Sequence, residues 1–335
     1  MRTILVLLCV STFSGISFSQ DIHFSQFYAS PLTLNPALTG FIDGTYRLTA
    51  IYRNQWRSVT TPYHTVGASF DMRLLDGKIK DVLGAGASAV YDQAGDGNLS
   101  LMSLMASGAY SKVLGKSKRH FIGAGIQLGY VYRSLDYNSL LFPQQYNATL
   151  NEFDQAQTNG ESFQGTGISY FDMAAGLMWS SMIGKRFGIF AGGALHHLTT
   201  PKESFLGREE RLSRRATGHA GLHVKASEHI VITPNVLFMY QNKARELHLG
   251  SAVEWHFHDP HNTVISLGGW YRLEDAGVIT LGFEHRGLRV GFAYDVNTSG
   301  LKPASHSRGA FEIAVLYVGK ITKVEAPVLV PCPRL

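Results

Sequence analysis

The chain of 335 residues carries 30 Lys and Arg against 25 Asp and Glu, a net charge of +5, with no run of five or more cations; that spread excludes the clustered footprint of a nucleic-acid binder. Its two cysteines, Cys9 and Cys332, stand near opposite ends and exclude a disulfide framework or a cysteine metal knuckle. Charged residues make up only 16 % while 35 glycines, 15 tyrosines and 19 phenylalanines are present, a balance unlike that of a soluble domain and expected where alternate residues face lipid and a polar lumen.

The N-terminus reads as a secretory signal peptide over 1–19. Arg2 precedes an apolar run from Ile4 to Val10, and Ser17 and Ser19 precede the cut, leaving Gln20 or Asp21 as the mature start. The run is far shorter than the roughly 20 residues of a membrane-spanning helix. Cys9 lies inside it after Leu8, which is not a small residue, so lipidation is not expected.

Residues 20–43 contain Pro31 and Pro36, which cannot donate to a central ladder. The segment reads as a periplasmic lead-in or a plug at the barrel's base. From Gly44 a single unit repeats, a stretch of period-two alternation ended by a turn cluster. The predicted strands are 44–56, 62–73, 82–93, 98–113, 119–133, 166–182, 186–197, 213–226, 229–241, 243–256, 262–273, 276–286, 288–297 and 307–320. In the clearest, Leu288, Val290, Phe292, Tyr294 and Val296 share one face, and Arg289, Gly291, Ala293 and Asp295 the other. Strands of a soluble sandwich average about 5 to 6 residues; these are long enough to cross a bilayer at a tilt. The fold class is therefore all-β, an up-and-down antiparallel transmembrane barrel of about 14 strands over 44–320, an even number as bacterial barrels require. The longest connections, 134–165, 198–212 and 298–306, are odd-numbered and fall outside if the N-terminus is periplasmic. The tail 321–335, with Pro327, Pro331 and Pro333, reads as extended and periplasmic.

Chemistry-bearing motifs are few. His256, His258, Asp259 and His261 form a His-rich tract, but it falls at a turn where polar residues gather, and no metal or cofactor is expected. No Gly-x-Ser-x-Gly elbow marks a hydrolase, and no catalytic residue is assigned. Gly84-Ala-Gly86 and Gly123-Ala-Gly125 lack the helix of a dinucleotide site, and read as close packing on one barrel face. The inferred inward charges, Arg53, Asp71, Arg73, Glu246, Glu254, Glu284, Arg289 and Asp295, are mixed in sign. A selective pore tends towards a ring of one sign, so they predict a lumen cross-linked by salt bridges.

The stretch from Asp21 to Gly40, with Asn35-Pro36-Ala37, followed by Tyr46-Arg47 and by Tyr52-Arg53-Asn54-Gln55-Trp56, resembles the PorP/SprF-like family of outer-membrane proteins from Bacteroidota. The likeness is sharp over 21–73 and general beyond. It implies a non-enzymatic place in the type IX secretion and gliding machinery, with a secreted adhesin or a secretion component as protein partner, in the outer membrane. Asn35, Pro36, Tyr52, Arg53 and Trp56 are the candidate partner-binding residues. Each has an equal structural reading: Asn-Pro is ordinary turn chemistry, and rim aromatics form the interfacial girdle. The competing functional expectations are a channel or hydrophobic-solute transporter, and a lipid hydrolase.

Overall fold

Long alternating strands joined by turns must pair with their sequence neighbours, and in lipid the first must also meet the last, because an open edge would leave backbone groups unpaired. A computed structural model of the protein describes residues 21–59, 61–74, 81–115, 119–300 and 302–321. The expected signal peptide, both cysteines, the Asp76-Gly77 turn and nearly all of the C-terminal tail lie outside these residues.

The barrel strands are β1 (Tyr46–Gln55), β2 (Tyr63–Leu74), β3 (Val82–Ala94), β4 (Leu99–Leu114), β5 (His120–Ser134), β6 (Gly167–Ile183) and β7 (Phe187–His196). They continue with β8 (Arg215–Lys225), β9 (Ile230–Gln241), β10 (Ala244–His256), β11 (Val264–Arg272), β12 (Ala276–His285), β13 (Leu288–Asn297) and β14 (Arg308–Gly319). Every strand pairs antiparallel with its neighbours and β14 closes on β1, giving a barrel of 14 strands. All fourteen expected strands are present, with ends shifted by at most two residues. Two ladders are irregular: β13 shifts register against β14 between Tyr294 and Val296, and between β8 and β9 the pairing runs to Gly221 and Asn235 and resumes at Val224 and Ile232. Pro234, which has no N–H to give, stands in the gap.

Alternation sorts the side chains as expected. Ile126, Leu177, Leu267, Ile279 and Phe171 project outward and are 57–76 % exposed on the lipid-facing surface, whereas Arg53, Asp71, Glu254, Arg272, Asp295 and Glu312 point inward and are buried. Leu316 breaks the alternation of β14 because it packs inward against the core cluster. The long connections 135–166, 197–214 and 298–307 share one rim, and the opposite rim carries short turns such as Arg286-Gly287, both at positive φ as a two-residue hairpin demands. In the first long connection Tyr146–Asn147 pairs with Glu152–Phe153 as a small hairpin.

The interior is filled by the chain itself. Residues 24–42 are almost all buried, and Phe24, Tyr28, Leu34, Ala37, Leu38 and Phe41 form a core with inward residues such as Phe121, Met178 and Trp270. The segment expected to be a periplasmic lead-in or a plug at the base instead threads the lumen. Asp21 contacts the ends of β7 and β9 at the long-loop rim, and Gly40 contacts β2 and β3 near the short-turn rim. The physical reason is its composition: an apolar 23-residue stretch with prolines can neither join the ladder nor stay in water, but it can fill a lumen that mixes apolar and charged groups.

Candidate functional site: a plugged lumen with an open vestibule

The plug begins at Asp21, whose carboxylate is ion-paired to His197 Nε2 and to Arg215 Nη1 (3.3 Å), while its N–H donates to Gln241 Oε1 (3.0 Å). His197 Nδ1 lies 2.6 Å from Asp172 Oδ2. Burial alone would push the His197 imidazole down, but Asp172 and Asp21 on its two nitrogens outweigh it and raise it to about 9. The latch is therefore ionised at neutral pH.

Below it lies a charged knot. The Ser25 and Gln26 N–H groups donate to Glu312 Oε1 and Oε2 (2.7 and 2.9 Å), and the Ser25 hydroxyl donates to Asp295 Oδ2 (2.8 Å). Arg53 spans Glu312, Asp295 and Ser25, and Arg272 Nη2 donates to Asp295 at 2.7 Å. Buried charges are tolerable only when paired and hydrogen-bonded, and here plug backbone supplies two of the donors to Glu312. The expected lumen of mixed, cross-linked charge is thus present, with the plug as one of its bonding partners.

The chain then makes one helical turn, α1 (Pro31–Leu34), and a 3₁₀ turn from Pro36 to Leu38. Asn35 joins them: its Oδ1 accepts from Ala37 N (2.9 Å), and its Nδ2 donates to Leu177 O (3.0 Å) and lies 3.1 Å from a His219 ring nitrogen. Pro36 suits the first position of that turn, where no N–H is needed. Next to the short-turn rim, Asp71 receives the Gly40 N–H (2.7 Å) and a bidentate pair from Arg47 (2.8 and 2.9 Å). Two inward glycines permit this seat. A Cβ on Gly84 would overlap the Thr39 carbonyl, and one on Gly125 the Pro36 carbonyl. Of the alternate glycines read as close-packing positions, Gly84 and Gly125 face the plug's backbone, whereas Gly123 packs against Ser111 and Met178.

Above the plug, at the long-loop rim, a vestibule of about 730 Å³ remains open. Inward side chains of β3 to β5, Val90, Leu99, Leu101, Met105 and Val131, give it an apolar wall, and Phe24 lies at its floor. The facing wall is polar: Arg133 pairs with Glu203 of the 197–214 connection, Asp172 and His197 hold the latch, and Arg215 and His196 stand opposite each other on β8 and β7. Arg133 Nε, Arg215 Nε and a His196 ring nitrogen are buried without a hydrogen-bond partner. Unfilled polar atoms thus stand beside an uncovered apolar strip.

The residues singled out from sequence do not form one site. Asn35 and Pro36 are inside the plug, and Arg53, 2 % exposed, is buried in the knot two residues before the long-loop end of β1. Tyr52 faces outward, stacked on His64, and Trp56 takes a left-handed turn (φ 58°) at the long-loop rim with its ring against Tyr63. The vestibule residues escaped notice; their signal was the stretch Leu99-Ser-Leu-Met-Ser-Leu-Met105, apolar on both faces. In the His-rich tract, His256 pairs with Glu254 and His258 with His229, and among the described residues no three His, Cys, Asp or Glu converge as metal ligands.

The family described as type IX secretion system membrane protein PorP/SprF matches residues 16–317. Among solved structures, the chain is similar to the toluene transporter TbuX of Ralstonia pickettii, with 12 % identity, a TM-score of 0.51, and coverage of 87 % of this chain and 94 % of that one. It is likewise similar to the monoaromatic hydrocarbon channel CymD (13 %, 0.53, 93 % and 96 %). The toluene transporter TodX of Pseudomonas putida gives 13 %, 0.51, 89 % and 94 %. At such identities the likeness is one of fold, that of outer-membrane barrels. No curated protein matches the chain.

Proposed function

Because this chain belongs to the PorP/SprF family of type IX secretion system membrane proteins, we propose that it is a non-enzymatic docking barrel whose vestibule holds an extended segment of a protein partner. The partner is a secreted surface protein or a component of the machinery. In this reading the signal peptide over 1–19 directs export, the long-loop rim faces outward and the short turns face the periplasm. Tyr52 and Trp56 lie where a partner outside the vestibule would meet them, whereas Asn35, Pro36 and Arg53 act through the plug.

The observation that carries the proposal is the pairing of a filled lumen with an unfilled mouth. An ion-paired plug denies solutes a wide path, and an apolar strip facing unpartnered donors suits alternating side chains and backbone amides. A photo-crosslinking side chain at Leu101, with outward Leu104 as control, tests it in native membranes. Recovery of a secreted protein or secretion component from Leu101 alone supports docking; equal capture from both positions, or from neither, refutes it.

The apolar wall also favours a second reading, a conduit for hydrophobic solutes, the kind of molecule named for CymD and TodX. Liposome swelling and single-channel conductance separate the two, since a docking barrel with a seated plug is nearly silent in both.

A further inference from the structure

Four of the lysines and arginines that are dispersed along the sequence are gathered in space at the short-turn rim. Arg119 enters β5, Lys185 and Arg186 form the β6–β7 turn, and Lys225 ends β8; all four are exposed. They form a continuous arc, because Met182 N donates to the Arg119 carbonyl (2.9 Å) and Lys225 N to the Arg186 carbonyl (2.8 Å), which lashes the three connections side by side. None of the four makes an ion pair among the described residues, and no carboxylate interrupts the arc before Glu228. The nearest acid on the other flank, Asp81, is occupied by Val113 N (2.9 Å) and the Tyr110 hydroxyl. Lys112, on the outer face of β4, extends the arc.

These cations stand at the boundary between hydrocarbon and water. The residues flanking the β6–β7 turn, Ile183 and Phe187, are lipid-facing and 59 % and 53 % exposed, so the turn lies at headgroup depth. The same strands have a hollow outer face. Where β11 to β14 present Leu267, Ile279, Phe283 and Phe292, strands β4 to β8 present Gly108, Ala124, Ala175, Gly193 and Ala216 around an apolar recess of about 980 Å³. Tyr110, at its edge, is two residues from Lys112 on one strand face. A second recess of about 470 Å³, between Ala191, Ala220 and Pro234, reaches Leu222 close to Lys225.

We propose that the arc and the recessed face together bind an anionic glycerophospholipid of the short-turn leaflet, its phosphate against Arg119, Lys185, Arg186 and Lys225 and an acyl chain in the hollow. The occupant follows from complementarity: unpaired cations need an anion, at headgroup depth that anion is a lipid phosphate, and a hollow between lipid-facing strands takes a hydrocarbon chain. A soluble acidic partner would satisfy the arc and leave the hollow empty. The site is independent of the vestibule, which opens at the opposite rim.

The test is native mass spectrometry of the delipidated full-length barrel, titrated with phosphatidylglycerol or with zwitterionic phosphatidylcholine. The wild type should retain phosphatidylglycerol preferentially, and each cation removed should weaken that preference by about fivefold. The variant Lys185→Gln with Arg186→Gln reads the turn, and Arg119→Gln with Lys225→Gln reads the flanks should the first fail to give a heat-modifiable barrel. Ala175→Trp, which fills the hollow and spares the arc, should lower retention of both lipids without changing the preference. Equal retention of the two lipids by the wild type, or a preference untouched by either cation pair, overturns the proposal. Unchanged retention by Ala175→Trp overturns the acyl site.

Discussion

Arg53 and Glu312 stand opposite each other on β1 and β14, the two strands that close the ring, and their buried ion pair (2.5 Å) also holds the plug through the Ser25 and Gln26 N–H groups. Closure of the barrel and seating of the plug are therefore one bonding event. That coupling gives a reason for Arg53 to sit in the first strand, on the lumen-facing side four residues after Thr49.

Removing one member of this pair should cost far more than removing both. Glu312→Ala takes from Arg53 one of its two carboxylates and strands two plug N–H groups in a buried site, for an expected loss of about 3–5 kcal/mol. Arg53→Met with Glu312→Leu, which keeps the volume, should recover part of it. Thermal loss of the heat-modifiable form reports the order. A single variant no less stable than the double would show that the knot does not hold the seam.

Alanine at a plug-facing glycine should act oppositely to alanine at an outward one. Gly125→Ala drives a methyl into the Pro36 carbonyl, an overpacking worth about 1–3 kcal/mol. Gly277→Ala on β12 meets nothing within 4 Å and should be neutral or stabilising. Protease access to the 21–43 segment gives the readout: increased cleavage in the first variant and none in the second.

The latch should loosen in alkali. His197, raised to about 9 by Asp172 and Asp21 against its burial, contributes a stabilisation that is complete below its ordinary value of 6.5 and lost as pH rises through about 9. Arg215 and Gln241 are the other groups on Asp21. A spin label at position 22, in a background with Cys332→Ser, should be immobile at pH 6.5 and mobile at pH 10. His197→Gln should be mobile at both. A label equally immobile throughout would refute the latch.

Charge on the apolar wall of the vestibule should separate docking from folding. Leu101→Glu places a carboxylate in the half-buried strip between Leu99 and Ser103, where open space lets the barrel form. Barrel yield should be unchanged and co-purification of the partner from native membranes should fall at least about tenfold, the expected effect of an unpaired desolvated charge in an interface. Undiminished recovery would place the partner elsewhere.

The sequence by itself determined the ring. A period of two sustained over stretches of 9 to 17 residues leaves one face apolar and the other polar, and short turns make each strand pair with the next; both are local properties, legible without coordinates. It also determined that the lumen mixes charge, because inward positions follow from parity. Tertiary structure alone decided where the N-terminal segment goes, since Asp21–Asp43 has no period to read and its seat is made by residues from eight or more strands, such as Asp71, Gly125, His197 and Glu312, far apart in sequence. The vestibule and the cationic arc share that dependence. Each is a surface assembled across neighbouring strand ends, and closure of the ring is what brings those ends together.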